Sequence, residues 1–208
     1  MSILELLSTC RIVRVTPQLL STCGAFSCGD ADLDEFFSED YEFFGKKLAC
    51  KTYAFQSVEN EEQLVALFSL SNDSIRITNL KPEDWEQIEY VTEGGEKNLK
   101  RWPAVLIGRL GTNINVRGLG YGTAVMDFIK AWFRSDENKT GCRFVIVEAL
   151  NNEKTLNFYE KNGFLYLYGT EENEAKAMGL NIKRPGTFPL HTRLMFFDLL
   201  NVGNVGLE

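Results

Sequence analysis

Two apolar runs with almost no alternation, Ala104 to Leu110 and Arg143-Phe-Val-Ile-Val-Glu-Ala-Leu, are each followed by a segment of helical character. A strand that is apolar at consecutive positions has to be covered on both faces, and such strands occur as parallel neighbours joined by a crossover helix. The helices are read over about 120–133 and 152–161, the second stopping at Asn162-Gly163, a good C-terminal signal. The order strand, helix, strand, helix predicts an α/β sheet that is parallel at its centre.

The flanking segments read as antiparallel additions. Arg11 to Val15 is β-branched and alternating, and Pro17 interrupts it. Asp30 stands where a helix cap would be, ahead of Leu33, Phe36, Phe37, Tyr41 and Phe44, whose spacings of three and four predict one aromatic face. Residues 52–58 and 64–71 form a hairpin around the polar stretch Glu59-Asn-Glu-Glu-Gln, and 164–168 and 191–199 supply further strands. Residues 81–101, with Pro82, Trp85 and Gly94-Gly95, read as a short helix and a solvated excursion from the sheet, and the tail after Asn201 as fraying. With 208 residues, 44% of them apolar, the chain can bury one sizeable core, so 1–208 is taken as a single domain.

Several classes are disfavoured. No run approaches the length of a membrane span, and the opening Met1-Ser-Ile-Leu-Glu-Leu-Leu lacks a basic start and carries Glu5, which reads against secretion and for the cytoplasm. Five cysteines without a CxxC pair, and one histidine, give no zinc site or disulfide scaffold, so no metal is expected and the thiols are read as reduced. A formal charge of −7 lacks the basic footprint of a nucleic-acid binder; Arg11 with Arg14, Lys46 with Lys47 and Lys51, and Lys183 with Arg184 read as solvated clusters.

The chemistry is concentrated in Arg117-Gly118-Leu119-Gly120-Tyr121-Gly122. A glycine-rich loop between a buried strand and a helix presents successive N–H groups at a helix N-terminus, where phosphate is favoured. It is not a P-loop, because Thr123-Ala124 follows the last glycine where Lys-Ser or Lys-Thr is needed. Nor is it a dinucleotide fingerprint, because Thr112 to Val116 separate the strand from the first glycine.

Here the chain resembles the GNAT superfamily of N-acetyltransferases, whose signature of Arg or Gln, two residues, Gly, one residue, Gly or Ala is met by Arg117 to Gly122. The second block of that family is matched by the strand Phe144 to Leu150, Asn152 and Phe158-Tyr-Glu-Lys-Asn-Gly-Phe164, so the resemblance is strong over about 104–168. It implies a single GNAT-like domain: a mixed, mostly antiparallel sheet with a splayed parallel pair, flanked by helices. Phe26-Ser-Cys-Gly, Leu33-Asp-Glu-Phe-Phe and Ile107-Gly-Arg-Leu look more like the branch that holds antitoxin-paired toxins acetylating aminoacyl-tRNA. Gly111 and Thr155 stand where Ala is usual, and the acidity suits tRNA badly.

By that resemblance, backbone groups of Leu110, Gly111 and Thr112 take the pantetheine arm of acetyl-CoA, the acyl donor, as an added strand, and Arg117, Gly118, Leu119, Gly120, Tyr121, Gly122 and Thr123 take its pyrophosphate. Asn152 either touches the same cofactor or caps the following helix. Tyr159 is the candidate general acid for the departing thiolate; the other reading is a core tyrosine, although Phe158 and Tyr159 point about 100° apart and cannot share one core face.

Glu148 is the candidate base, and its place in an apolar strand means that it pairs, reaches a cleft, or lies at an exposed end. His191 reads as structural, with a water-mediated base as the lesser reading. A site without a base favours a low-pKa acceptor, since deprotonating an α-amine at pH 7 costs about 1 kcal/mol and a lysine about 4 to 5. Three activities compete: acetylation of a small-molecule or peptide amine, which leads, toxin-like acetylation of charged tRNA, and non-catalytic acyl-CoA sensing. The pattern leaves room for a homodimer and calls for no membrane partner.

Overall fold

The computed structural model describes residues 1–76, 80 and 100–201. Most of the excursion read over 81–101, including Trp85 and the glycine pair, and the tail after Asn201 therefore lie outside the described residues. The strands are β1 (Cys10–Arg14), β2 (Lys51–Ser57), β3 (Leu64–Arg76), β4 (Arg101–Thr112), β5 (Phe144–Leu150), β6 (Leu165–Tyr166) and β7 (Thr192–Asp198). They form one α/β sheet in the order β1-β2-β3-β4-β5-β7-β6, with β4 and β5 the parallel pair. The pairs β1–β2, β2–β3, β5–β7 and β6–β7 are antiparallel. Two compact units divide these elements, Met1–Asn72 with Ile107–Asn138, and Asp73–Leu106 with Lys139–Asn204.

In the first unit, α1 (Ile3–Thr9) starts in a capping box between Ser2 and Glu5, and α2 (Pro17–Thr22) in a Thr16 cap with proline at its first position. Glu5 sits below the ordinary carboxylate range, chiefly because the Ser2 N–H donates to its carboxylate, while the Glu5 N–H in turn donates to Ser2 Oγ. Asp30 caps α3 (Ala31–Glu35) through the Leu33 N–H, as the sequence predicts. The chain then continues through a π-helical turn, Phe36–Asp40, into α4 (Tyr41–Lys46). A π turn holds an extra residue, so the expected single aromatic face is broken: Phe36, Phe37 and Tyr41 are buried, and Phe44 is 39% exposed. The long helix α5 (Tyr121–Arg134) packs Phe128 edge-on against Phe55 at 5.0 Å and Trp132 against Tyr53 at 5.1 Å, and α1 lies beside it.

In the second unit, β5 pairs with β7 from Phe144↔Asp198 to Leu150↔Thr192, and α6 (Glu153–Lys161) packs on β5. A core of Ile75, Ala104, Phe144, Ile146, Leu167, Tyr168 and Phe196 fills this unit. The acidic stretch after Gly169 is a helix, α7 (Glu171–Ala177), capped by Thr170. It presents the buried Glu174 to Arg193: Nε donates to Oε2 at 2.7 Å, Oε1 accepts the Leu194 N–H at 2.6 Å, and a second guanidinium nitrogen donates to the Tyr168 carbonyl at 3.0 Å.

Removing one member of a buried pair leaves an uncompensated charge, typically about 3 to 5 kcal/mol. Glu174→Ala is therefore expected to lower the Tm by about 10 °C. A melt within 2 or 3 degrees of the parent would show this ion pair to be dispensable.

Candidate active site

Side-chain oxygens of Ser2, Thr16, Asp30, Asn152 and Thr170 cap the helices that start from extended residues. The helix α5 starts differently: Gly120, at φ +85°, precedes it in the left-handed region, and no side-chain cap hydrogen bond is made there among the described residues. Gly118 is also left-handed, at φ +82°. Among the described residues the loop's own hydrogen bonds run from Arg117 N–H to Ile114 O (3.3 Å), Leu119 N–H to Val116 O (3.4 Å) and Ala124 N–H to Gly120 O (3.1 Å). The first-turn N–H groups of Tyr121, Gly122 and Thr123 have no intrahelical acceptor, as at any helix start, and an α-helix of 14 residues adds its positive N-terminal field. A phosphate supplies what this helix end lacks.

The loop is anchored from behind. Leu110, Gly111 and Thr112 close β4, and the buried Asn113 ties their end to β3, its N–H bonding Val65 O at 2.8 Å and its Nδ2 bonding Leu64 O at 2.9 Å. Asn113 was not singled out in the sequence, and its only local signal is an Asx turn to the Asn115 N–H. A Cβ on Gly111 would lie 3.0 Å from Cys28 Cβ and 3.4 Å from the Phe37 ring, so close packing accounts for glycine at this position. The Cys28 thiol is pushed up to about 11 by burial and by its hydrogen bond to Asp34. Arg117, expected as a phosphate ligand, has its guanidinium donating to the Cys28 carbonyl.

The remaining candidates belong to the second unit. Asn152 Oδ1 accepts the Thr155 N–H at 3.0 Å and caps α6, the second of the two roles open to it in the sequence. Glu148 is exposed, between the buried Val147 and Ala149 of β5. His191 is exposed just ahead of β7, and its carbonyl accepts the Asn151 N–H at 2.9 Å.

Tyr159 lies in the last turn of α6, which ends in a Schellman motif: Phe164 N–H bonds Tyr159 O (3.0 Å), Gly163 N–H bonds Glu160 O (2.9 Å), and Gly163 is left-handed at φ +78°. The ring packs on Phe164 at 5.4 Å and on Phe158 at 5.2 Å, so the adjacent rings meet and both are half-buried. Burial pushes the Tyr159 phenol up to about 12. A cavity of about 410 Å³ lined by Glu171, Glu172, Ile182 and Phe188 includes none of the expected site residues. Among the described residues no three His, Cys, Asp or Glu side chains cluster to hold a metal, and no helix is long and apolar enough to cross a membrane.

A glycine loop opening a helix without a side-chain cap, in an α/β sheet with a parallel pair, is an arrangement able to accept a phosphate group. A family model described as an acetyltransferase (GNAT) domain matches residues 85–165 of the chain. No curated protein sequence matches it. Solved structures of similar fold include AtaT complexed with acetyl-methionyl-tRNAfMet, 21% identical, covering 91% of this chain and 94% of that one at a TM-score of 0.64. AtaTR bound with AcCoA is 18% identical, with 93% and 95% covered and a TM-score of 0.60. A tyrosine-to-phenylalanine mutant of the AtaT toxin bound to the C-terminus of the antitoxin AtaR is 19% identical, with 92% of each chain covered and a TM-score of 0.55.

Proposed function

We propose that the chain transfers the acetyl group of acetyl-CoA to an α-amino group, and that the acceptor is the aminoacyl end of a charged tRNA. The observation that carries this reading is the likeness in fold to AtaT, seen with acetyl-methionyl-tRNA, over nine-tenths of both chains. The chemistry of the side chains agrees. Glu148 and His191 are both exposed, which favours an acceptor that loses its proton cheaply, as an α-amine near pKa 8 does and a lysine does not.

The diphosphate of acetyl-CoA sits on the amides that follow Arg117, and the pantetheine arm runs along Leu110, Gly111 and Thr112. The amine nitrogen attacks the thioester carbonyl, the carbon–sulfur bond breaks, and the thiolate takes a proton from Tyr159 while the new amide nitrogen gives one up to solvent. Burial holds the Tyr159 phenol near 12, and a thiolate taken out of water on binding gains proton affinity for the same reason.

A second reading, acetylation of a small-molecule or peptide amine, draws on the net charge of −7 and on basic side chains already paired at the surface, such as Arg11 with Glu61 and Lys46 with Glu42. A screen for thiol release from acetyl-CoA against charged tRNAs, amines and peptides separates the two. Turnover is expected with charged and not with uncharged tRNA; turnover confined to free amines would move the assignment to the second reading. The cytoplasm supplies both substrates, and an antitoxin is the partner that the AtaT likeness suggests.

A further inference from the structure

Asp34 stands outside the chemistry above, yet it gathers two donors directly and a third through one of them. Its Oδ2 accepts the Ser27 hydroxyl at 2.6 Å, its Oδ1 accepts the Cys28 N–H at 2.7 Å, and the Gly29 N–H reaches the same group through Ser27 Oγ at 3.1 Å. Burial alone would raise this carboxyl, but the hydrogen bonds from Ser27, Cys28 and Gly29 outweigh it and hold it below the usual range. A carboxylate so held fixes the turn 27–29.

That turn has its carbonyls aimed at the other segment. Ser27 O accepts the Ile114 N–H at 2.8 Å, and Cys28 O accepts the Arg117 guanidinium. Gly29, at φ +74°, lets the guanidinium approach the backbone closely: a Cβ there would stand 3.1 Å from its terminal nitrogen. The residues between these two contacts, Asn115 and Val116, make the short turn that leads into Gly118. All of these groups belong to the first unit.

We propose that Asp34 is a positioning residue for the diphosphate of acetyl-CoA: through the Ser27–Gly29 turn it holds Arg117, and with it the aim of the Gly118–Thr123 amides. Arg117 acts here as a strut, and its charge is spent on protein carbonyl. The inference rests on the reading that the loop binds the diphosphate. It explains why an arginine adjoining a phosphate loop is bonded away from the loop, and why a carboxylate over 80 positions earlier in the chain should matter to a nucleotide.

The test is a double-mutant cycle on acetyl-CoA affinity, with Asp34→Asn, Arg117→Met and the pair, each checked by its melting curve. Each single change is expected to weaken acetyl-CoA binding by about 5- to 20-fold, the range for members of one hydrogen-bond network, and the double variant to be no weaker than the poorer single. Binding of acetyl-pantetheine, which lacks the diphosphate, should be unchanged in all three. A general loss of fold would weaken both ligands alike, and additive losses would mean that the residues act separately; either result overturns the relay. Gly120→Asp serves as the reference. If it leaves acetyl-CoA affinity intact, the loop assignment itself fails. If it abolishes binding while Asp34→Asn has no effect, the loop stands and the positioning role falls.

Discussion

Gly120→Asp is expected to weaken acetyl-CoA binding by at least about a hundredfold. A carboxylate within about 4 Å of a phosphate repels it by about 4 kcal/mol at the effective dielectric of a protein surface. The backbone adds to this, because φ is +85° and a Cβ at this position would meet the Met1 nitrogen at 2.9 Å. Gly120→Ala carries the same Cβ without the charge and should lose less, which separates crowding from electrostatics. Isothermal titration of folded variants gives the answer, and an unchanged Kd in Gly120→Asp would remove the diphosphate from this loop.

Tyr159→Phe should leave acetyl-CoA affinity nearly intact and lower kcat by about 10²- to 10⁴-fold, the usual contribution of a general acid. The packing of its ring makes the variant informative, since the edge-on contacts to Phe158 and Phe164 survive the loss of a hydroxyl. With its phenol near 12, Tyr159 stays protonated at every practical pH. The rate should then rise with pH as the acceptor amine loses its proton near 8, with no fall from Tyr159 below about pH 11. If the hydroxyl serves only the fold, turnover in the folded fraction stays near normal and the only change is a stability loss of about 1 kcal/mol.

The centre of the fold is legible in the sequence because its two buried strands are apolar at consecutive positions and its helices carry clear ends. Asn162-Gly163 marks the end of α6, and Phe164 packs back on Tyr159 as such an end requires. Helices α1, α2 and α7 are six or seven residues long, too short for a period to register; side-chain caps and packing hold them. The π turn at 36–40 has no signature in a pattern that assumes 3.6 residues per turn.

At the site, the glycines announce the loop, because few other demands place three of them so close together where the chain passes from a strand into a helix. The partners of Arg117 and Asn113 do not announce themselves, since the carbonyls they meet lie 89 and 49 positions away. A carbonyl is the same in every residue, so nothing in the chain's lettering marks Cys28 or Leu64 as its acceptor.

The uncapped start of α5 has a consequence for how much native protein a cell holds. If the diphosphate completes that helix end, the acyl donor is also a structural part, and its abundance sets a folding equilibrium. At 100 times its Kd a ligand adds about 2.7 kcal/mol to the native state, and the gain vanishes as the pool is drained. Protease attack on transiently opened chains tracks that same equilibrium, so the copy number of this enzyme would follow the metabolic supply of the group it consumes.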